Sequence, residues 1–269
     1  MTHPLDRPIW HALTKRQAGF AVGGGLARRF DPGVSSFIAC VDDGAAALAD
    51  VAALVRAGES GLFLQSGTPP LPPGLVEIER GVGVQMIGEG FVASAPPDDL
   101  TGLAGLVRLG AGDAAEMVAL AELTMPGPFH LRTRELAQFW GVREGGDGRL
   151  LAMAGERLKL PGMSEISGVC THPDARGRGY ARMLSAHVGS EIVRRGEVPF
   201  LSAYAWNAPA IRLYEELGFV LRGEIGALLV ERGAREGSGR PGREHRSRHA
   251  VQALPLTTAS LQGAGRPKA

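Results

Sequence analysis

Cysteine is nearly absent from this chain: Cys40 and Cys170 are the only two among 269 residues. Both lie in apolar, strand-like surroundings, so they read as buried free thiols, and the disulfide frameworks of small secreted domains are excluded. No apolar run is long enough to span a bilayer. Residues 1–6 lack the basic-then-apolar order of a signal peptide. These absences predict a cytoplasmic protein with no membrane partner. No cluster of His, Cys or acidic residues has metal-ligand spacing, so no metal is expected. What remains is a chain with 44% hydrophobic and 21% charged residues, the composition of a globular protein large enough for one big core or two modest ones.

The net charge of +1 conceals an asymmetry. Beyond residue 231 lie seven arginines and Lys268, against only Glu236 and Glu244, which gives that segment +6 and leaves −5 on the body. The segment 232–269 is also rich in Gly, Ser and Pro without apolar periodicity, the composition of a disordered tail. A solvated extension is preferred over weak nucleic-acid binding.

Three regions precede the tail. Residues 1–95 read as a mixed α/β unit, with helical patterns over 9–21 and 45–56 and extended ones over 34–41, 61–65 and 75–87. Residues 96–102 have linker composition. Residues 103–231 begin with a strand over 103–109, a helix capped by Asp113, and a second helix over 133–140. A hairpin then turns at 145–148, and a closing pair of strands surrounds Val220 and Leu229.

Two clusters in this last region carry chemistry. Residues 176–181 read Arg-Gly-Arg-Gly-Tyr-Ala, between an extended segment, 164–171, and a helical one, 180–195. A glycine-bearing turn that opens a helix leaves backbone N–H groups without intrahelical partners, and the positive end of the helix dipole adds to them: a site for an anion such as a pyrophosphate. It is neither a Rossmann fingerprint, because Arg182 occupies the last position counted from Gly177, nor a Walker loop. An ordinary strand-to-helix connection is the competing reading of these six residues alone. The second cluster follows a buried strand at 199–205. Asn207 suits an N-cap, Pro209 the first turn and Gly218 the C-terminal stop of a short helix whose Ile211, Leu213, Tyr214 and Leu217 form an apolar face.

Together the clusters resemble the GNAT superfamily of N-acetyltransferases. Residues 176–181 fit its signature Q/R-x-x-G-x-G/A, and Asn207, Ala210, Tyr214, Gly218 and Phe219 fit N-x-x-A-x-x-x-Y-x-x-x-G-F. The resemblance covers about half the chain. It implies an α/β (α+β) GNAT fold, whose central, mixed but mostly antiparallel sheet splays between its fourth and fifth strands and is flanked by helices. The smaller unit at 1–95 would be a degenerate GNAT-like half that shapes the acceptor pocket or forms a subunit interface, a homodimer among the options.

The resemblance also implies roles. Acetyl-CoA is the cosubstrate; backbone atoms of Val169, Cys170 and Thr171 face its pantetheine arm. Its pyrophosphate meets the amides of Arg178, Gly179, Tyr180 and Ala181, with Arg176 either bonding phosphate or fixing the turn. Asn207 has two compatible jobs, helix cap and pantetheine partner. Tyr214 hydrogen-bonds or protonates the departing sulfur. Glu165 stands where some relatives keep a general base, with Glu156 a second candidate and a solvated strand glutamate an equal alternative for each. His172 is expected to stabilise its turn. A covalent route through Cys170 is disfavoured, since a buried thiol has little thiolate character. The implied activity is direct transfer to the amine of a small molecule or peptide. The alternative is a non-catalytic acyl-CoA-sensing module.

Overall fold

The computed structural model describes residues 3–92, 105–145 and 147–233. Residues 96–102, and nearly all of the 232–269 tail, lie outside them. Eleven strands and five α-helices are described. The first part of the chain contains α1 (Pro8–Thr14), β1 (Ala21–Val22), β2 (Ala27–Phe30), β3 (Ile38–Cys40), α2 (Ala45–Leu54), β4 (Ser60–Gln65) and β5 (Val76–Ile87). The second contains β6 (Leu106–Leu109), α3 (Ala114–Thr124), β7 (Phe139–Arg143), β8 (Leu150–Leu160), β9 (Met163–Thr171), α4 (Tyr180–Arg194), β10 (Val198–Tyr204), α5 (Ala208–Glu216) and β11 (Val220–Glu231).

Eight strands form one sheet in the order β4-β11-β5-β10-β9-β8-β7-β6, and β1-β2-β3 form a small antiparallel sheet beside it. Among the paired strands of the large sheet only β9 and β10 run parallel. The expected mixed, mostly antiparallel sheet flanked by helices is present. One feature was not legible: β5, from the first region, sits between β10 and β11 and pairs with both. The boundary expected near residue 95 is thus no break in the sheet.

Two further elements differ from expectation. Residues 133–140 form a single 3-10 turn, Thr133–Leu136, followed by β7, because Phe139 and Trp140 are drawn into pairing with Gly155 and Ala154 of β8. The closing pair around Val220 and Leu229 is one long strand, β11, with irregularities between Leu221 and Gly223 and between Leu229 and Val230. Asp113 precedes α3 as expected, but its carboxylate accepts from the Gly110 amide and from Arg143 instead of capping the helix.

Alternation along β10 separates the two main cores. Phe200 packs with α1 residues Ile9 and Leu13 on one face, and Leu201 packs with α4 and α5 on the other. On α4 the buried Tyr180, Leu184, Val188 and Ile192 recur every four residues, one stripe against the sheet. Burying each such apolar side chain contributes roughly 1.5–3 kcal/mol, so this stripe fixes the helix, and with it the turn that opens it.

Because β5 supplies ladder partners to both β10 and β11, removing residues 1–92 would strip neighbours from the strands nearest the site. A fragment 103–233 is expected to show no cooperative thermal transition and poorly dispersed amide resonances. A well-dispersed spectrum from that fragment would contradict the role given to β5.

Candidate active site

The parallel pairing of β9 with β10 covers only Val198 with Met163, Pro199 with Ser164, and Phe200 with Glu165. Beyond Glu165 the two strands part, although β9 continues to Thr171 and β10 to Tyr204. Each is held from its outer side: β10 stays paired with β5 through Tyr204 and Gly83, and β9 stays paired with β8 through Thr171 and Ala152. The inner edges are left with unpaired backbone groups. A bulge helps β9 diverge: Ser167 faces Gly155 and Cys170 faces Met153, so β9 carries one residue more than β8 over that stretch. Gly168 lies in the bulge at φ +64, where a Cβ would also meet the Phe139 ring at 2.9 Å.

A cavity of about 810 Å³ opens between the parted strands. Val169, Cys170, Thr171, Arg176, Arg178, Gly179, Tyr180, Ala181, Asn207 and Tyr214 all line it, so ten of the eleven expected site residues converge there. The eleventh, Glu165, does not. Phe37, Leu62, Leu64 and Gly83 from the first region line it too.

At one end lies the turn before α4. His172 accepts from the Asp174 amide through Nδ1 at 3.2 Å, capping the 3-10 turn Pro173–Ala175, which is the stabilising role expected of it. Gly177 and Gly179 both sit at φ +76, and the space where their Cβ atoms would stand is open. The amides of Tyr180, Ala181 and Arg182 have no carbonyl one turn back to receive them. Those of Gly177, Arg178 and Gly179 make no hydrogen bond among the described residues either. Six consecutive donors at a helix N-terminus, with arginines 176, 178 and 182 beside them, suit a doubly charged anion.

The second cluster builds a complete cap at both ends of α5. Asn207 Oδ1 accepts from the Ala210 amide at 3.2 Å, which leaves the Asn207 NH₂, unbonded among the described residues, for the cavity. At the far end Gly218, at φ +89, donates to Glu215 (2.9 Å) and Phe219 donates to Tyr214 (3.0 Å). This is a Schellman motif. Its hydrophobic contact is the edge-on packing of Phe219 against Tyr214, ring centroids 6.0 Å apart. The Tyr-x-x-x-Gly-Phe spacing is therefore a helix stop that also fixes the tyrosine ring. Tyr214 is 8% exposed. Burial pushes its phenol up to about 12, against a smaller opposing pull from the nearby Ser185 hydroxyl, which completes no hydrogen bond.

The carboxylates are elsewhere. Glu165 is fully buried at the point where β9 and β10 part, and both its oxygens are held by Arg157: Nε to Oε2 and Nη2 to Oε1, each 2.9 Å. Ser202 lies 3.4 Å from Oε1. Accepting a proton would break this bidentate pair and leave the largely buried arginine uncompensated, a loss of about 3–5 kcal/mol. Glu156, also buried, is paired with Arg195 and Lys159. No Asp, Glu or His lines the cavity among the described residues. Burial pushes the Cys170 thiol up to about 12, so it stays protonated. Sequence reasoning did not single out Arg157. The signal was there: Pro161 and Gly162 form a two-residue hairpin loop between β8 and β9, which sets Arg157 across from the neighbourhood of Glu165.

Among the described residues no helix is long and apolar enough to cross a membrane, and no group of His, Cys, Asp and Glu could hold a metal ion.

Comparisons with known proteins point to one family. The family described as FR47-like protein matches residues 140–234. The crystal structure of a putative acetyltransferase from the GNAT family of Novosphingobium aromaticivorans is 41% identical and superposes with a TM-score of 0.79, over 87% of this chain and 100% of that one. A GCN5-related N-acetyltransferase from Kribbella flavida shares the fold at 16% identity and TM-score 0.57, over 87% and 96% of the two chains. The [ribosomal protein bS18]-alanine N-acetyltransferase of Salmonella typhimurium is 39% identical over 74 residues, 27% of this chain; the match spans about half of that protein's length, 49%.

Replacing Asn207 separates its two jobs. Asn207→Ala is expected to lower stability by about 1 kcal/mol through the lost cap, and Asn207→Asp, which still accepts from the Ala210 amide, should recover most of it. Equal Tm values for wild type and Asn207→Ala would show that the cap contributes nothing.

Proposed function

The chain belongs to the GNAT family of acetyltransferases, and we propose that it moves the acetyl group of acetyl-CoA to a primary amine by direct attack in a ternary complex. The observation that carries this reading is one continuous cavity lined both by the free amides before α4 and by the buried phenol of Tyr214. Bound acetyl-CoA supplies a thioester whose carbonyl carbon takes the amine and whose sulfur leaves as a thiolate.

The residues of the chain divide the work by position. The amides from Gly177 to Arg182 receive the pyrophosphate, and open space at Gly177 and Gly179 lets it rest on the backbone. The unpaired edges of β9 and β10 offer hydrogen bonds to an extended, amide-bearing arm, as a missing strand would. The Asn207 NH₂ adds a donor on the β10 side. Tyr214, with its pKa near 12, is protonated throughout the working range. An ordinary thiol titrates near ~8.5, so complete proton transfer from this phenol to the thiolate runs uphill. Its part is to stabilise the developing charge by a hydrogen bond.

Among the described residues the wall carries no carboxylate or imidazole to take the ammonium proton. The acceptor therefore reacts from its neutral form, having lost the proton to solvent. Glu165 acts indirectly, by holding Arg157. The acceptor is a small molecule or a peptide; the alanine amine in the name of the Salmonella relative is an instance of the peptide class. A sensing module would need the turn but not the phenol, and the presence of Tyr214 in the cavity wall favours catalysis.

Two measurements test this. Tyr214→Phe should reduce kcat about 10–100-fold with little change in the KM for acetyl-CoA; unchanged CoA release would remove Tyr214 from the mechanism. The acidic limb of kcat/KM should follow the acceptor's own amine pKa, moving when one acceptor is exchanged for another of lower pKa. A limb that stays fixed near a carboxylate or imidazole value would reveal an enzyme base.

A further inference from the structure

The acceptor end of the cavity has a polar feature that acetyl transfer by itself does not require. Phe37, Leu62, Leu64, Ile225 and Ala227 make this end apolar. Among the described residues one charged side chain, Arg157, reaches into it, while the other three arginines of the wall lie at the opening of α4, Arg176 and Arg178 in the turn and Arg182 in the first helical turn. Arg157 is oriented by three contacts. Its Nε and Nη2 are both used by Glu165, and its guanidinium carbon stands 4.7 Å from the centroid of the Phe37 ring. Its Nη1 makes no hydrogen bond among the described residues and is not sealed from the cavity. The loop at 125–128 flanks it: a Cβ on Gly127 would stand 3.7 Å from Nη1, in ordinary van der Waals contact.

We propose that Arg157 is the specificity-determining residue for the acceptor, and that the acceptor is an apolar amine carrying a carboxylate, an amino acid or a close analogue, whose carboxylate binds Nη1. This rests on the acetyltransferase reading and names its substrate class. The physical reason is the state of the guanidinium. Locked on two sides by Glu165 and stacked on Phe37, it offers its remaining N–H pair in a fixed direction, at little further cost in side-chain entropy. A carboxylate there makes a charge-assisted hydrogen bond in apolar surroundings. A polycationic acceptor would meet no acidic partner along the wall among the described residues. Arg157 also lines the cavity beside Ser167 and Gly168, so a group held by it lies next to the point where β9 and β10 part.

The test uses the full chain and reaction products, so that binding is read without turnover. N-acetyl-L-phenylalanine and N-(2-phenylethyl)acetamide differ only in the carboxylate. Their Kd values are measured by titration calorimetry, with and without CoA, on wild type and on Arg157→Lys, which keeps a cation over Glu165. The expected result is roughly tenfold to hundredfold tighter binding of the carboxylate in wild type, with that preference reduced to about threefold or less in the variant. Equal or tighter binding of the amide lacking the carboxylate, binding of neither compound, or a preference untouched in a folded Arg157→Lys would each overturn the proposal. If the variant fails to fold, the wild-type ratio alone decides. Titration of CoA by itself reports separately: failure to bind it would sink the acetyl-CoA reading, whatever the two products do.

Discussion

The site depends on a sheet that parts in its middle without coming apart. β9 and β10 are joined for three residue pairs and then diverge. The gap stays open because neither strand needs the other: β8 completes the ladder of β9, and β5 completes that of β10. A strand edge ordinarily seeks a partner. Here two edges face each other across a space too wide for pairing, with a glycine bulge keeping one of them turned aside. At the base of the gap the Arg157–Glu165 pair is buried and bidentate. Such a pair adds little net stability against an apolar replacement but is costly to break. That property suits a fixed wedge better than a proton carrier.

The parts of the site that were legible in the sequence are those built from local chemistry. Gly177 and Gly179 mark a left-handed turn, Asn207 caps the helix that follows it, and Gly218 with Phe219 closes the same helix in a Schellman motif. Each depends on residues within a few positions, so composition and spacing suffice. The resemblance to a known family rests on these stretches, and the comparison at 41% identity bears it out.

What was hidden depends on distant partners. Nothing in residues 76–87 says that they enter the sheet between β10 and β11, because the pairing partners lie more than a hundred positions away. Residues 133–140 have an acceptable helical pattern, and only the pull of β8 turns Phe139 and Trp140 into strand. Glu165 looks like a base in one dimension. In three dimensions its two oxygens are already spent on Arg157. The same long-range pairing brings the first region to the cavity: Phe37, Leu62 and Leu64 line its wall together with residues of the second region.

The central claim is that the gap and the amides before α4 form a single donor site. It is tested most directly by recording amide nitrogen and proton shifts of the full chain as CoA is added. The largest changes are expected on Gly177 through Arg182, accompanied by Ser167 through Thr171 on the β9 edge. Binding of CoA that leaves both stretches unmoved, or that perturbs only residues outside the cavity, would contradict it.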